Sequence, residues 1–420
     1  MNNTGQIHHQ TDYDIVIVGG GMVGISLALL LARQNHAWRV LLLEAKDFGN
    51  SQQPDFSPSF DARSTALSWS SRTIFHAADL WSELQPHSSD IKNIHVSDRG
   101  RVGLTRINAE EVGVEALGYV LENRWLGSVL VKKLAETSVE VRAPERVAKA
   151  EVVQSGVRIS LENSADIINA SLLVIADGAN SKTAQKLGVH SNHQPYGQQG
   201  IIANIGIESP HNGVAYERFT EQGPMAMLPL PDCDGGARCA LVWTQPPERA
   251  EQLMAASDSV FLQALQNSFG YRLGKLGKVG ERTVYPLALT TASEQVRRSI
   301  VVLGNAAHSL HPVAGQGFNL SLRDVATLAE VLGSARSECE SVPESFASLE
   351  TLERYQQQQL RDQQRTLLFS DNLPKLFSQS ASAVALGRNI GLLLMDLAPG
   401  LRSSFALFGM GMINREARYD

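Results

Sequence analysis

Apolar residues along this chain follow three different rhythms. Four short unbroken runs, Ile15–Val18, Val40–Leu43, Leu172–Ile175 and Ile300–Val302, read as strands buried on both faces, as in a parallel sheet. From Met22, and again from about Phe318, apolar positions recur at helical spacing. Strand, helix and strand within residues 15–43 predict a βαβ unit, hence an α/β fold. Between about Gly188 and Arg298 the third rhythm takes over. There "GIIANIGI", "GPMAMLPLP" and "CALVWTQ" predict a separate sheet, and "LPLPDCDGGARC" reads as a hairpin turn. Further on, "LERYQQQQLRDQQRTLLFSDNL" predicts a long polar helix with an apolar stripe, its glutamines on a solvated face.

The ends of the unbroken runs carry candidate chemistry. "VGGGMVG" sets Gly19, Gly21 and Gly24 in a G-x-G-x-x-G spacing between the first strand and the first helix. The first glycine permits the tight turn, the second lets backbone approach a pyrophosphate, and the third lets helix and strand pack closely. Phosphates then lie on the helix N-terminus, where N–H groups and the dipole favour negative charge. The second run ends in Glu44, at the interval expected of an acid that binds ribose hydroxyls and repels a 2′-phosphate. That suits the ADP half of FAD or NAD and disfavours NADP at this site. The third run delivers Asp177-Gly178, and the fourth delivers Gly304-Asn305 followed by "AAHSLHPVAGQGFNLSLRD".

Composition excludes other classes. A length of 420 residues accommodates two domains sharing a core, and 43% hydrophobic with 19% charged residues describes a globular protein. A net charge of -6 argues against nucleic acid as a partner. The three cysteines match no zinc spacing, so no metal site is expected. The N-terminal "MNNTGQIHHQTD" lacks the layout of a signal peptide, and no segment offers the roughly 20 uninterrupted apolar residues of a membrane-spanning helix. A cytoplasmic protein is expected.

In this order the motifs resemble those of the single-component flavoprotein aromatic hydroxylases, the fold family of para-hydroxybenzoate hydroxylase. "DARSTALS" (61–68), "HPVAGQGFNLSLRD" (311–324) and "LGRNIGLLLMDLAPG" (386–400) resemble the ubiquinone-biosynthesis hydroxylases, and within these the 2-polyprenyl-6-methoxyphenol hydroxylase branch. The resemblance runs from about Tyr13 to the C-terminus. It implies a discontinuous Rossmann-like FAD-binding domain (1–75, 120–187 and 285–335), an interleaved β-sheet substrate domain (76–119 and 188–284) and a C-terminal helical region (336–420). The implied activity is an FAD-dependent NAD(P)H monooxygenase. NAD(P)H binds transiently and reduces the flavin, O2 is activated at C4a of the reduced ring, and oxygen passes to a polyprenyl phenol. Two departures from the family pattern stand out. Asn305 replaces the usual aspartate, and "DGANSKTA" carries Ala184 where an arginine is usual, with Lys182 nearby.

The glycine-rich loop has a physical reading in this setting. The pyrimidine edge of a flavin gains negative charge on reduction, and helix N-terminal amides stabilise that charge where no side chain intervenes. Ala314, Gly315 and Gly317 keep the backbone bare, Pro312 fixes the loop's entry, and Phe318 and Asn319 open the helix with their N–H groups toward the ring. Flavin contacts are therefore expected at Asn305, Pro312, Gly315, Gln316, Gly317, Phe318 and Asn319. The resemblance adds Arg63, Asn123, Asp177 and Val147, the last bordering the adenine. His308 is read as a support of the loop. His311 is the candidate acceptor of the phenol proton, with a loop-fixing hydrogen bond as the competing role. Met225, Met227, Leu228 and Trp243 are candidate walls of the substrate pocket, with core packing as the alternative.

The apolar tail is interrupted by Arg388, Asp396 and Arg402. It suits either a peripheral contact with the inner membrane, Arg402, Arg415 and Arg418 facing anionic lipid, or packing against the body. Other ubiquinone-biosynthesis proteins are candidate partners. Two rival functions share the motifs: a flavin dehydrogenase or reductase of the same fold, and a non-catalytic flavin-binding subunit of a quinone-biosynthesis assembly.

Overall fold

The four unbroken apolar runs lie side by side in one sheet. The protein is represented by a computed structural model that describes residues 12–34, 37–48, 63–99, 104–233, 236–310, 315–338, 346–378, 406–407 and 409–412. The first sheet has eight strands, with the order Val296–Arg297, Ile300–Val302, Ile167–Ile175, Tyr13–Val18, Val40–Leu43 and Glu140–Arg142 along its main path. All these neighbours run parallel except the edge strand Val296–Arg297. The strand Tyr13–Val18 shows why its sequence is continuously apolar. Ile15 and Ile17 face the helices Met22–Ala32, Asn123–Ala135 and Gln316–Glu338, while Val16 and Val18 face the hairpin formed by Val147–Val153 and Gly156–Leu161. Each such buried side chain contributes roughly 1.5–3 kcal/mol.

Register fixes where the chemistry emerges. Val18 pairs with both Leu43 and Ile175, and Ile175 pairs with Val302. Those four residues form one row, so Gly19, Glu44, Asp177, Gly304 and Asn305 all follow it at the carboxyl edge of the parallel strands, the side on which open α/β sheets bind ligands.

The second sheet has nine strands. Its main path runs His308–Ser309, Thr283–Ala292, Ser191–Ile207, Gly236–Gln245, Gly223–Cys233, Val214–Thr220, Asn93–Asp98 and Leu104–Asn108. The helices Pro247–Ala255 and Asp258–Phe269 cover one of its faces through Leu253, Phe261 and Leu265. The other face meets Ala66 and Trp69 of the first domain. Ala66 belongs to Ser64–Ser68, part of a three-stranded sheet with Gly118–Glu122 and Ser89–Ile91 that links the two larger units. Thr283–Ala292 pairs with Ser191–Ile207 along its length, so the chain is still in the second sheet at residue 285, where the sequence reading returns it to the first domain.

The long helix Leu349–Ser378 lies against Gln316–Glu338, and its glutamines are not all solvated as the sequence reading expected. Gln359 and Gln363 are buried; the Nε2 of Gln359 donates to the Arg323 carbonyl at 3.1 Å and that of Gln363 to Asp324 Oδ1 at 2.9 Å. They satisfy polar groups that the helix contact would otherwise strand. Among the described residues no helix is long and apolar enough to cross a membrane.

Candidate functional site

At the first turn the backbone admits only glycine. Gly19 has φ +112°, and a Cβ there would stand 2.4 Å from the Ala176 carbonyl oxygen. A Cβ on Gly24 would stand 2.0 Å from the Gly19 oxygen, so this glycine is what lets the helix start against the strand. Gly21 is the N-cap of Met22–Ala32, and no side chain caps it. The helix therefore presents its first amides outward. Glu44 reaches this turn from the neighbouring strand: its Oε2 accepts from the Gly20 N–H at 2.6 Å and its Oε1 from the Lys46 N–H at 3.0 Å. The Glu44 carbonyl accepts from the Glu145 N–H at 2.7 Å, which brings the segment leading to Val147 to the same place. Val147 itself is buried in the sheet's second core, and its carbonyl accepts from Lys186 Nζ at 2.7 Å.

The other two strand ends complete the edge. Gly304, at φ +61°, packs on Val23 of the first helix, where an added Cβ would sit 3.1 Å from the valine methyl carbons. Asn305 is exposed beside it. Asp177 is exposed too, and its Oδ2 accepts from the Thr183 N–H at 3.4 Å while Ser181 Oγ caps the short helix Lys182–Lys186. Gly178, at φ +95°, has open space where a Cβ would go.

The glycine-rich loop is seated on Ser64–Ser68. Gly315 has φ +61° and lies 3.3 Å, measured from an ideal Cβ, from the Ala66 Cβ. The helix opens at Gln316, two residues before the expected Phe318. Gly317 and Phe318 thus occupy its first turn, whose N–H groups lack intrahelical acceptors. Nothing stands within 4 Å of where a Gly317 Cβ would be, while the Phe318 ring turns inward to Phe75 at 6.4 Å. The expected role of Asn319 changes as a result. Its buried side chain, rather than its N–H, is what matters: Nδ2 donates to the carbonyls of Ala66 (2.8 Å) and Gly315 (2.7 Å), and Oδ1 accepts from the Ser68 N–H (2.8 Å) and Ser71 Oγ (2.7 Å). Gln316 Nε2 donates to the Gly409 carbonyl at 3.2 Å, and Ala406 and Met410 pack in the core that includes Leu230 and Ala240 of the second sheet. This described part of the tail packs against the body.

Asn123 begins the helix Asn123–Ala135. It is buried, its N–H donates to the Arg63 carbonyl at 2.8 Å, and its Oδ1 accepts from Thr65 Oγ1 at 2.5 Å. The Arg63 guanidinium lies over the Tyr285 ring of the second sheet at 4.9 Å. His308 is fully buried, and its Nε2 meets Asp324 Oδ2 at 2.6 Å, so it braces the loop from behind. His311 and Pro312 lie outside the described residues. No group of three His, Cys, Asp or Glu among the described residues is arranged to hold a metal ion.

The shape of this site fits a flavin. Gly19 and Gly24 stand where a Cβ would strike backbone, Gly304 and Gly315 take positive φ close against Val23 and Ala66, and Gly178 and Gly317 border open space, as close approach by a flat ring and a pyrophosphate requires. A family model described as an FAD binding domain matches residues 12–361. The chain belongs to this family of FAD-binding monooxygenases. The monooxygenase is 33% identical to the ubiquinone hydroxylase UbiL of Rhodospirillum rubrum over 404 residues, covering 95% of this chain and 90% of that one. It is 30% identical to the 3-demethoxyubiquinol 3-hydroxylase of Escherichia coli over 403 residues, covering 95% and 98%. Its fold is that of the p-nitrophenol 4-monooxygenase PnpA from Pseudomonas putida, with a TM-score of 0.75 at 18% identity, covering 97% and 100% of the two chains.

The monooxygenase's second sheet corrects one part of the sequence reading. Met225, Met227 and Trp243 lie in the closed core against Pro247–Ala255 and Asp258–Phe269, with Trp243 edge-on to Phe261 at 5.9 Å. Alternate residues of a strand point to opposite faces, so Leu228 cannot share a wall with Met225 and Met227. Leu228 is half-buried on the face that meets Ala66 and Trp69. Residues on that face went unassigned: Ile202, Glu217, Ala226 and Val242. The alternation of buried and half-buried residues along 201–207 is the signal that separates the faces. A hollow of about 1460 Å³, lined by Glu122, Asn204, Arg238, Gln266 and Lys278 among others, touches none of the glycine motifs.

Proposed function

We propose that this monooxygenase hydroxylates the aromatic ring of a polyprenylated methoxyphenol in ubiquinone biosynthesis, with FAD as resident cofactor and NAD(P)H and O2 as co-substrates. The observation that carries the reading is the junction at Ala66. The glycine-rich loop rests on this residue through Gly315, and the same residue belongs to the apolar cluster that Leu228, Leu230 and Ala240 of the second sheet share with Val120. A flat ring seated on the loop would therefore look onto an apolar surface suited to a prenylated phenol. The names of both relatives support the class of substrate.

The residues divide the work. Glu44 and the amides following Gly21 would hold the ribose and pyrophosphate, and Asn305 would accept one hydrogen bond from the ribityl chain through its carbonyl oxygen. Gly317 and Phe318 would offer N–H groups to the pyrimidine edge while Asn319 keeps the loop in place. Arg63, Asn123, Asp177, Gln316 and Val147 would line the path of the cofactor. When bound, FAD supplies the transfer of electrons from NAD(P)H and the activation of O2. The second sheet would exclude water and align the substrate ring. A polyprenyl chain partitions into lipid, so the reading carries with it a cytoplasmic protein in peripheral contact with the inner membrane.

The test is turnover of FAD-loaded protein with a short-chain 2-alkyl-6-methoxyphenol, following NAD(P)H and O2 consumption and identifying product by mass spectrometry. A product heavier by one oxygen, labelled from 18O2, is expected. Consumption of NAD(P)H and O2 without such a product would favour an oxidase or reductase instead.

A further inference from the structure

The strand Val214–Thr220 carries an acid that no part of the flavin site uses. Its Tyr216 lies on the helix-covered face, edge-on to Phe269 at 5.5 Å. Ala215, Glu217 and Phe219 therefore point to the opposite face, toward the first domain. Glu217 pairs across the sheet with Val96 on one side and Ala226 on the other; Ala226 pairs with Val242, and Val242 with Ile202. The acid is the one ionisable group in the row Val96, Glu217, Ala226, Val242, Ile202.

The neighbouring row is Ile94, Ala215, Leu228 and Ala240, and it shares one apolar cluster with Val120, Ala66 and Trp69. Ala66 is the residue on which Gly315 rests. Rows on one face of a strand are about 7 Å apart. Glu217 thus stands one row from the apolar cluster that includes Ala66, the residue on which the glycine-rich loop is seated.

The two faces of the sheet differ in closure. Ile201, Ile205, Leu241 and Met227 on the helix side are completely buried. On the other side Ile202, Val242, Leu228, Val96 and Glu217 all retain accessible surface. Glu217 is itself half-buried, and burial pushes its carboxyl up to about 8. Its cross-strand neighbours Val96 and Ala226 are both apolar. The charged groups on elements packed around it stand at the margins of this face: Asp98, beside Phe219; Arg238, paired with Glu122 at 2.7 Å; and Asp371 of the helix Leu349–Ser378, bonded by Tyr196 at 3.1 Å. Burial is the whole cause of the shift, and none of these charges offsets it.

We infer that Glu217 is the polar contact that holds the phenolic oxygen of the substrate, in a row otherwise made of apolar side chains. The inference rests on the hydroxylase reading and names the residue that recognises its substrate class. Among the described residues no hydrogen bond or ion pair reaches this half-buried carboxyl, and removing it from water without a partner is costly to the fold, which points to a ligand that satisfies it. A neutral carboxyl both accepts and donates one hydrogen bond. A phenol with a neighbouring methoxy group offers the complement: its O–H donates to the carbonyl oxygen, and its ether oxygen accepts from the carboxyl O–H.

The test uses FAD-loaded protein and the perturbation of the flavin absorbance spectrum. The probes are 2-allyl-6-methoxyphenol and its methyl ether, 1-allyl-2,3-dimethoxybenzene, which lacks the phenolic proton. Wild-type protein is expected to bind the phenol at least about tenfold more tightly than the ether, because a site built for a hydroxyl rejects the analogue without one. Glu217→Leu is expected to bring the two affinities within about twofold of each other while the bound FAD is unchanged. Its Tm is expected to rise by roughly 1–3 °C, because a carboxyl between the apolar Val96 and Ala226 is replaced by an apolar side chain. Glu217→Gln, which keeps a donor and an acceptor, is expected to retain part of the preference. A preference that survives in Glu217→Leu, or a fall in Tm with both affinities retained, would overturn the inference and leave the hydroxylase reading standing. A wild-type spectrum moved by neither probe would overturn both.

Discussion

Two glycines with opposite surroundings, Gly317 in open space and Gly24 hard against backbone, separate flavin binding from folding. Replacing Gly317 with alanine places a methyl group where nothing stands within 4 Å. The residue lies in the first turn of Gln316–Glu338, so the change removes backbone freedom from the unfolded chain. The apoprotein should gain about 0.5–1 kcal/mol, the ordinary difference between the two residues in a helix. Should that bare backbone face the flavin, the same methyl group stands in the path of the ring. FAD affinity then falls at least about tenfold, about 1.4 kcal/mol, and Gly317→Leu falls further. Gly24→Ala behaves in the opposite way, because its methyl would lie 2.0 Å from the Gly19 oxygen. That overlap forces the helix off the strand, and the apoprotein itself loses stability. Thermal unfolding of apoprotein and quenching of flavin fluorescence on titration read the two effects separately. The reasoning is refuted if Gly317→Leu protein binds FAD as tightly as wild type.

Three further outcomes follow from the geometry. Asn319→Ala removes four hydrogen bonds and strands the Ser68 N–H and the Ala66 carbonyl. A loss of about 3–5 kcal/mol in unfolding free energy is expected in a denaturant titration, with FAD affinity reduced. Asn305→Asp puts a charged acceptor at the exposed end of the fourth strand, and FAD should bind about three- to tenfold more tightly by the same fluorescence titration. Glu217, raised to about 8 from an ordinary 4.5, binds its proton more tightly folded than unfolded. Its contribution to stability is whole below about pH 4.5 and is lost as pH rises toward 8. The steepest slope is about 1.4 kcal/mol per pH unit, reduced by the solvent that reaches the side chain. Unfolding curves from pH 5 to 9 should show Glu217→Gln with a shallower decline than wild type, and parallel declines would contradict this.

Local demands were the legible part of the chain. Gly19 and Gly24 are dictated by atoms a few residues or one strand away, and the continuous apolar runs announce strands covered on both faces. Glu44 follows because the second parallel strand must end beside the first. Tertiary demands left no such mark. Asn319 sits in a helix whose sequence permits a surface asparagine, and its partners Ala66 and Ser68 come from a strand far earlier in the chain. Gln359 and Gln363 read as solvated for the same reason, since only the contact with Gln316–Glu338 shows the carboxylate and carbonyl they satisfy. The helix start at Gln316 was misplaced by two residues because glycine at its second position argues locally against helix.

The second sheet shows why its functional face was the hardest to read. Helices cover one side and the first domain covers the other, so apolar residues occur at both parities and period-two alternation fades from the sequence. Met225, Met227 and Leu228 then look like one patch, although the middle position between the two methionines, Ala226, already points the other way. The charged pair Glu217-Arg218 reads as solvated strand surface by the same logic. Its two members take opposite faces, Arg218 on the helix-covered side and Glu217 on the side of the first domain. An acid kept on the first-domain side of a sheet, between Val96 and Ala226 and with no cation paired to it among the described residues, runs against the local rules of burial. Local propensity gives no reason to retain it there, whereas a ligand presenting a hydroxyl to that face does.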